Sequence, residues 1–276
     1  MIKLNILLPT YRYKKGVEKI LTSISQTRNK SIHVYLFDNT ENNSIYLLYQ
    51  KYKKKFKINY FKNVPTINAS ENWNRAISYI NSKKENIYNY SILLHQDEYF
   101  GSKDFFKELF NQIREKKYPE IISMNTYVKY NNKYFNKIHT LKTQREFLHK
   151  YFKNYIIYRN YFGPLSSIIF KTNKFLPKFS RNLRWFIDVE FYLKIINFNY
   201  RWHFSELYLV SDQKNNFSLT NRLKKSNFNK IRKAEKNDFK LKVPLVYRIL
   251  YFIIDFPMWC LIRIYNKLYL ILCRYD

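Results

Sequence analysis

Apolar residues follow two rhythms along the first hundred positions. Dense short runs, such as Leu4, Ile6, Leu7 and Leu8 or Ile92, Leu93 and Leu94, stop abruptly at polar clusters. Between them, apolar residues recur every three or four positions, as at Val17, Ile20, Leu21 and Ile24. The first rhythm suits strands buried on both faces, the second amphipathic helices. The pattern predicts strands over 3–8, 33–37, 58–61 and 91–94. It predicts helices over 16–26, 44–54 and 70–81, with Ser70 as the N-cap of the last. Strands alternating with helices imply a mainly parallel α/β sheet with right-handed crossovers. Further on, 102–116 and 143–152 read as helices, and 120–127 and 168–170 as strands. Val189, Tyr192, Leu193 and Ile196 then recur at helical spacing, which sets Asp188 in a first helical turn.

Three predicted strands end in polar clusters: Thr10-Tyr11-Arg12, Asp38-Asn39, and Gln96-Asp97-Glu98. In a parallel sheet these ends share one edge, and ligands of open α/β sheets bind outside the carboxyl ends of the strands. Asp97 and Glu98 supply hard oxygen donors suited to Mg²⁺ or Mn²⁺ and, through the metal, to a diphosphate. Each cluster alone reads equally well as a polar turn, so it is their convergence that marks a site.

A length of 276 residues, 46% of them hydrophobic, allows one large domain or a domain with an appendage. Only 3 glycines are present, which excludes a glycine-rich phosphate loop, so a nucleotide has to be held by other means. The formal charge of +30 suits nucleic acid or anionic lipid, and abundant Lys, Asn, Ile, Tyr and Phe also fit plain compositional drift. The positive charge is spread along the chain, densest over 51–57 and 222–242, and forms no recognisable nucleic-acid module. Cys260 and Cys273 have neither C-x-x-C spacing nor nearby His, so a reduced, cytosolic setting is expected. The apolar core of residues 1–9 is too short for a signal peptide and reads as the first strand.

The tail has a different texture. Residues 244–273 are apolar and aromatic, but Arg248, Asp255, Arg263 and Lys267 interrupt them, which argues against a spanning helix. Pro257 fits the first turn of a second helix. Amphipathic helices of this kind lie in a membrane interface, and the basic run before them favours anionic lipid. Packing on the domain itself is the competing expectation. The expected organisation is a domain over 1–220 in two halves, 1–100 and 101–220, then a basic, amphipathic helical tail over 221–276.

Four ordered segments carry a resemblance to a known family. They are the opening strand into Pro9-Thr10-Tyr11, the strand ending at Asp38-Asn39, the stretch Asn68-Ala69-Ser70-Glu71-Asn72-Trp73-Asn74-Arg75-Ala76-Ile77 with the strand into Asp97-Glu98, and Phe186-Ile187-Asp188 opening a helix. Together, over roughly residues 3–215, they resemble the family 2 glycosyltransferases of bacterial surface-polysaccharide synthesis, whose GT-A fold is a Rossmann-like sheet flanked by helices.

The resemblance implies roles, with 1–100 as the nucleotide-sugar half of the domain and 101–220 as the acceptor half. Thr10 and Tyr11 would line the nucleotide, Asp38 would accept hydrogen bonds from the base, and Asn74 would close the site, with Arg75 and Lys214 as phosphate candidates. Asp97 would bind the divalent metal with help from Glu98, while His95 departs from the family's usual first acid. Asp188 would be the general base, with Glu190 a rival that helical geometry turns away. The implied protein is an inverting, non-processive transferase. It would use a nucleotide-diphosphate sugar, UDP-linked being the commonest case, and a lipid-linked saccharide acceptor. It would sit peripherally on the anionic cytoplasmic face of the membrane, and nucleic acid would not be a partner. Rival readings are a basic nucleic-acid-binding protein and an inactive relative of the transferases.

Overall fold

The computed structural model describes residues 1–27, 29–83, 88–130, 133–135, 142–157, 159–211, 228–240 and 245–250, with scattered positions up to 264. Its first half follows the predicted rhythm. Strand β1 (Lys3–Thr10), helix α1 (Lys14–Thr27), β2 (Ile32–Asp38), α2 (Ser44–Tyr52), β3 (Lys57–Lys62), α3 (Ala69–Asn81) and β4 (Asn89–Leu93) alternate in order. Then come β5 (Glu98–Phe100), α4 (Phe105–Glu115), β6 (Ile121–Tyr130), β7 (Lys133–Phe135), α5 (Lys142–Tyr151), β8 (Ile168–Lys171), α6 (Ile187–Ile196) and β9 (Trp202–Ser211). Two tail helices follow, α7 (Phe228–Lys240) and α8 (Leu245–Leu250).

One sheet runs in the order β3-β2-β1-β4-β8-β6-β9-β5, with β7 beside β6. The four strands β3, β2, β1 and β4 are parallel, as expected. The other half is mixed: β8 is antiparallel to both β4 and β6, and β9 is parallel to β6 but antiparallel to β5.

Alternation along the strands builds two apolar layers. Leu4, Ile6 and Leu8 face Val17, Ile20, Ile45 and Leu109 of α1, α2 and α4. Leu7, Tyr35 and Phe37 face Ala76, Ile77 and Ile80 of α3 and share a cluster with Phe191 and Ile195 of α6. This helix–sheet–helix sandwich explains why the inner strands read as unbroken apolar runs.

The N-cap of α3 is Asn68 rather than Ser70. The Asn68 side chain accepts from the Glu71 amide at 2.8 Å while the Glu71 carboxylate reaches back, a capping box that Ser70, itself buried in the helix, does not form. Among the described residues no helix is long and apolar enough to cross a membrane.

Candidate active site at the carboxyl edge

In the strand order, β1 lies between β2 and β4, which places a crevice at their carboxyl ends. The Gln96 amide spans it: its Oε1 accepts from the Tyr11 amide at 2.7 Å and its Nε2 donates to the Tyr11 carbonyl at 3.0 Å. A Cβ at Gly16 would collide with the Gln96 carbonyl, so this close approach of α1 to the turn requires glycine. Tyr11 is half-buried at the mouth. The guanidinium of Arg12 lies 5.0 Å from the Tyr11 ring centroid and pairs with Glu41 across the two loops.

Asp38, which the resemblance made an acceptor for the base, sits at the centre of a hydrogen-bond network within the protein. It is fully buried. Its Oδ1 accepts from the Thr10 hydroxyl (3.2 Å) and the Thr40 amide (2.8 Å), and its Oδ2 from the Tyr60 hydroxyl (2.7 Å) and the Lys62 ammonium (3.2 Å). A carboxylate has about four acceptor positions, and all are used. The Thr10 hydroxyl is spent in the same network, and Thr10 is only 1% exposed, so neither residue lines a ligand surface directly. Parallel register sets Lys62 directly beside Asp38.

Two further candidates are engaged within the protein in the same way. The Asn74 amide clamps backbone, donating to the Phe179 carbonyl at 3.0 Å and accepting from the Phe179 amide at 2.7 Å. It fixes the segment leading to α6. Arg75 binds the Lys62 carbonyl at 2.9 Å and the Asn63 side chain, which secures the end of β3. Lys214 lies outside the described residues.

The β4–β5 turn carries the acids. Asp97 is half-buried in the turn itself. Glu98 turns inward at 3% exposure, accepts a short hydrogen bond from Ser166, and lies 3.5 Å from His95 Nδ1. Alternation along β5 sends this side chain, expected from the resemblance to help Asp97 hold the metal, into the protein. Burial raises the Glu98 carboxyl to about 7, only partly opposed by the Ser166 bond. The His95 ring stacks on Trp73 at 5.5 Å, and its Nε2 is buried without a hydrogen bond.

Asp188 opens α6, where both acids of the first turn complement the helix dipole. Burial raises its carboxyl to about 6; the neighbouring charge of His95 lowers it and that of Glu98 raises it. Those two residues belong to the turn that carries Asp97, so Asp188 lies near that turn. Its rival Glu190 is occupied, accepting from the Ser180 amide at 3.1 Å and pairing with Lys194 at 3.1 Å. Behind Asp188, the Tyr192 hydroxyl donates to the Pro164 carbonyl at 2.7 Å, which ties α6 to the turn before β8.

Among the described residues, no group of three or more His, Cys, Asp or Glu is arranged to hold a metal. The oxygen donor carried by the β4–β5 turn is the half-buried carboxylate of Asp97. That suits an ion such as Mg²⁺ that takes one or two protein carboxylates and completes its shell with phosphate and water. It does not suit an all-protein cage.

No protein-family model and no curated sequence matches the chain. Solved structures do. S. aureus TarS residues 1–349 superpose with a TM-score of 0.56 at 13% identity over 76% of this chain and 60% of that one. The same fragment in complex with UDP-GlcNAc gives 0.58 at 14% identity, covering 79% and 61%. Its complex with UDP gives 0.56 at 16% identity, covering 90% and 77%. The chain thus spans about three-fifths of the length of the first two structures. At these identities the likeness establishes the fold, which is GT-A as the sequence resemblance implied.

Proposed function

We propose that this chain is an inverting, non-processive glycosyltransferase that moves a sugar from a nucleotide-diphosphate donor to a saccharide acceptor. The carrying observation is Asp188: a half-buried carboxylate at a helix start, raised to about 6, beside the turn that presents Asp97. A base whose pKa lies near neutrality abstracts a hydroxyl proton efficiently while remaining largely ionised at pH 7.

In this reading Asp188 takes the proton of the acceptor hydroxyl as that oxygen attacks the anomeric carbon. The bond to the nucleotide diphosphate breaks on the opposite face, inverting the centre. Asp97 would hold Mg²⁺ or Mn²⁺, which when bound supplies positive charge to the leaving diphosphate. Gln96 keeps Tyr11 at the crevice mouth, and the saturated Asp38 network gives that wall its shape. The UDP and UDP-GlcNAc complexes of the TarS structures support a UDP-linked donor.

The acceptor is read as a lipid-linked saccharide at the cytoplasmic membrane face, in surface-polysaccharide synthesis. Leu245, Val246, Ile249, Phe252, Ile253 and Phe256 support this: all are exposed, and their spacing follows one helical face. Deleting residues 244–276 should release the chain from anionic vesicles, and unchanged co-sedimentation would remove the membrane from the account. The function itself is tested by calorimetry with UDP, GDP and dTDP, with Mn²⁺ and then with chelator. Metal-dependent binding of one nucleotide, lost in Asp97→Ala, is the expected result. Binding to none, with salt-sensitive RNA binding instead, would replace the transferase reading by the nucleic-acid one.

A further inference from the structure

The helix that carries Asp188 has no side-chain hydrogen bond from its N-cap residue. That residue is Phe186, whose side chain cannot accept a hydrogen bond. Just before the helix, the amides of Arg184, Trp185 and Phe186 donate to one distant carboxylate, Glu235 of α7, at 2.8, 2.9 and 3.0 Å. Glu235 is 8% exposed, whereas Lys230, Lys233 and Asn237 of the same helix are open to solvent. Burying a carboxylate is costly unless its oxygens are bonded, and here three successive N–H groups converge on it. The amides so held lie two to four residues before Asp188. A second tail contact, Tyr247 of α8 against Tyr155 at 6.4 Å, seats the next helix on the same domain.

We infer that Glu235 is a positioning residue for Asp188, contributed by the basic tail. The tail is then part of the active site as well as a candidate membrane anchor. Glu235 acts through the backbone of 184–186, fixing where α6 starts and so where the Asp188 carboxylate points. This inference rests on Asp188 being the base. Asn74 holds the lead-in to α6 further upstream, through Phe179, so it is fixed at two points.

The test uses the full chain with Glu235→Gln and Glu235→Ala, and Asp188→Asn in parallel. UDP release from UDP-GlcNAc is followed, with water or added saccharide as acceptor, alongside amide hydrogen exchange and thermal melting. Gln keeps one accepting oxygen and Ala keeps none, so the effects should be graded. Glu235→Ala should speed exchange at 184–186 and lower kcat about 100-fold, the scale expected from a misplacement of about 1 Å. Glu235→Gln should lower kcat about tenfold, and donor KM should change less than about twofold in both, since ground-state binding is untouched. Unchanged kcat in a folded Glu235→Ala protein with faster exchange would overturn the inference and leave a purely structural latch. Unchanged exchange at 184–186 would overturn it at its base. If Asp188→Asn keeps full activity, the base assignment fails on its own, whatever Glu235 does.

Discussion

The two sides of the crevice treat their carboxylates in opposite ways. On the β1–β2–β3 side, Asp38 is fully buried but meets four donors, one of them a cation. On the β4–β5–α6 side, Glu98 has one hydroxyl and a nearby imidazole, and Asp188 has burial and like charge. The first arrangement spends all acceptor capacity on architecture. The second leaves carboxyls raised to about 7 and about 6, where protons can be exchanged near neutral pH. Shape is fixed on one wall and reactivity is held on the other.

The largest expected effect separates the two walls by activity. Asp188→Asn should cut transfer by about 10²–10⁴-fold, the range of a general base, with nucleotide affinity nearly unchanged. Loss of donor affinity in that variant would move Asp188 out of the base role and blur the contrast.

A smaller effect separates the walls by stability, read from thermal melts. Asp38→Asn places an amide donor against a hydroxyl or ammonium that already donates. It should destabilise by about 3 kcal/mol, as for breaking a buried charged hydrogen-bond set. Glu98→Gln should act with the opposite sign. The folded-state carboxyl sits at about 7, above its usual 4.5, so the folded protein binds that proton more tightly than the unfolded chain. Its ionisation therefore weakens the fold as pH rises through 7. The Gln variant should melt higher than the parent at pH 8, with the gain shrinking as pH falls toward 4.5. Equal destabilisation by both substitutions would erase the distinction.

The parallel half of the fold was readable because its strands are buried on both faces and its helices are amphipathic, so each leaves its own period. The second half was harder. Strand β5 spans only three residues, too short for a period, and β9 pairs with distant β6 and β5, which no local pattern reports. For the site, the resemblance pointed to Asp97 and Asp188, and the structure brings their surroundings together. It could not show that Asp38 and Asn74 are occupied, because their partners Tyr60, Lys62 and Phe179 are polar or backbone groups set by tertiary packing. Nor could it show Glu235, whose acid looks like any other on a charged helix until its burial is seen.

The central claim is that burial holds Asp188 as an ionisable base near neutrality, and the pH dependence of kcat tests it most directly. With donor saturating, the account predicts full rate at pH 8 and an acid limb with an apparent pKa near 6, the rate falling tenfold per unit below it. A rate that stays flat from pH 8 down to pH 5, in a protein shown to remain folded, would contradict it.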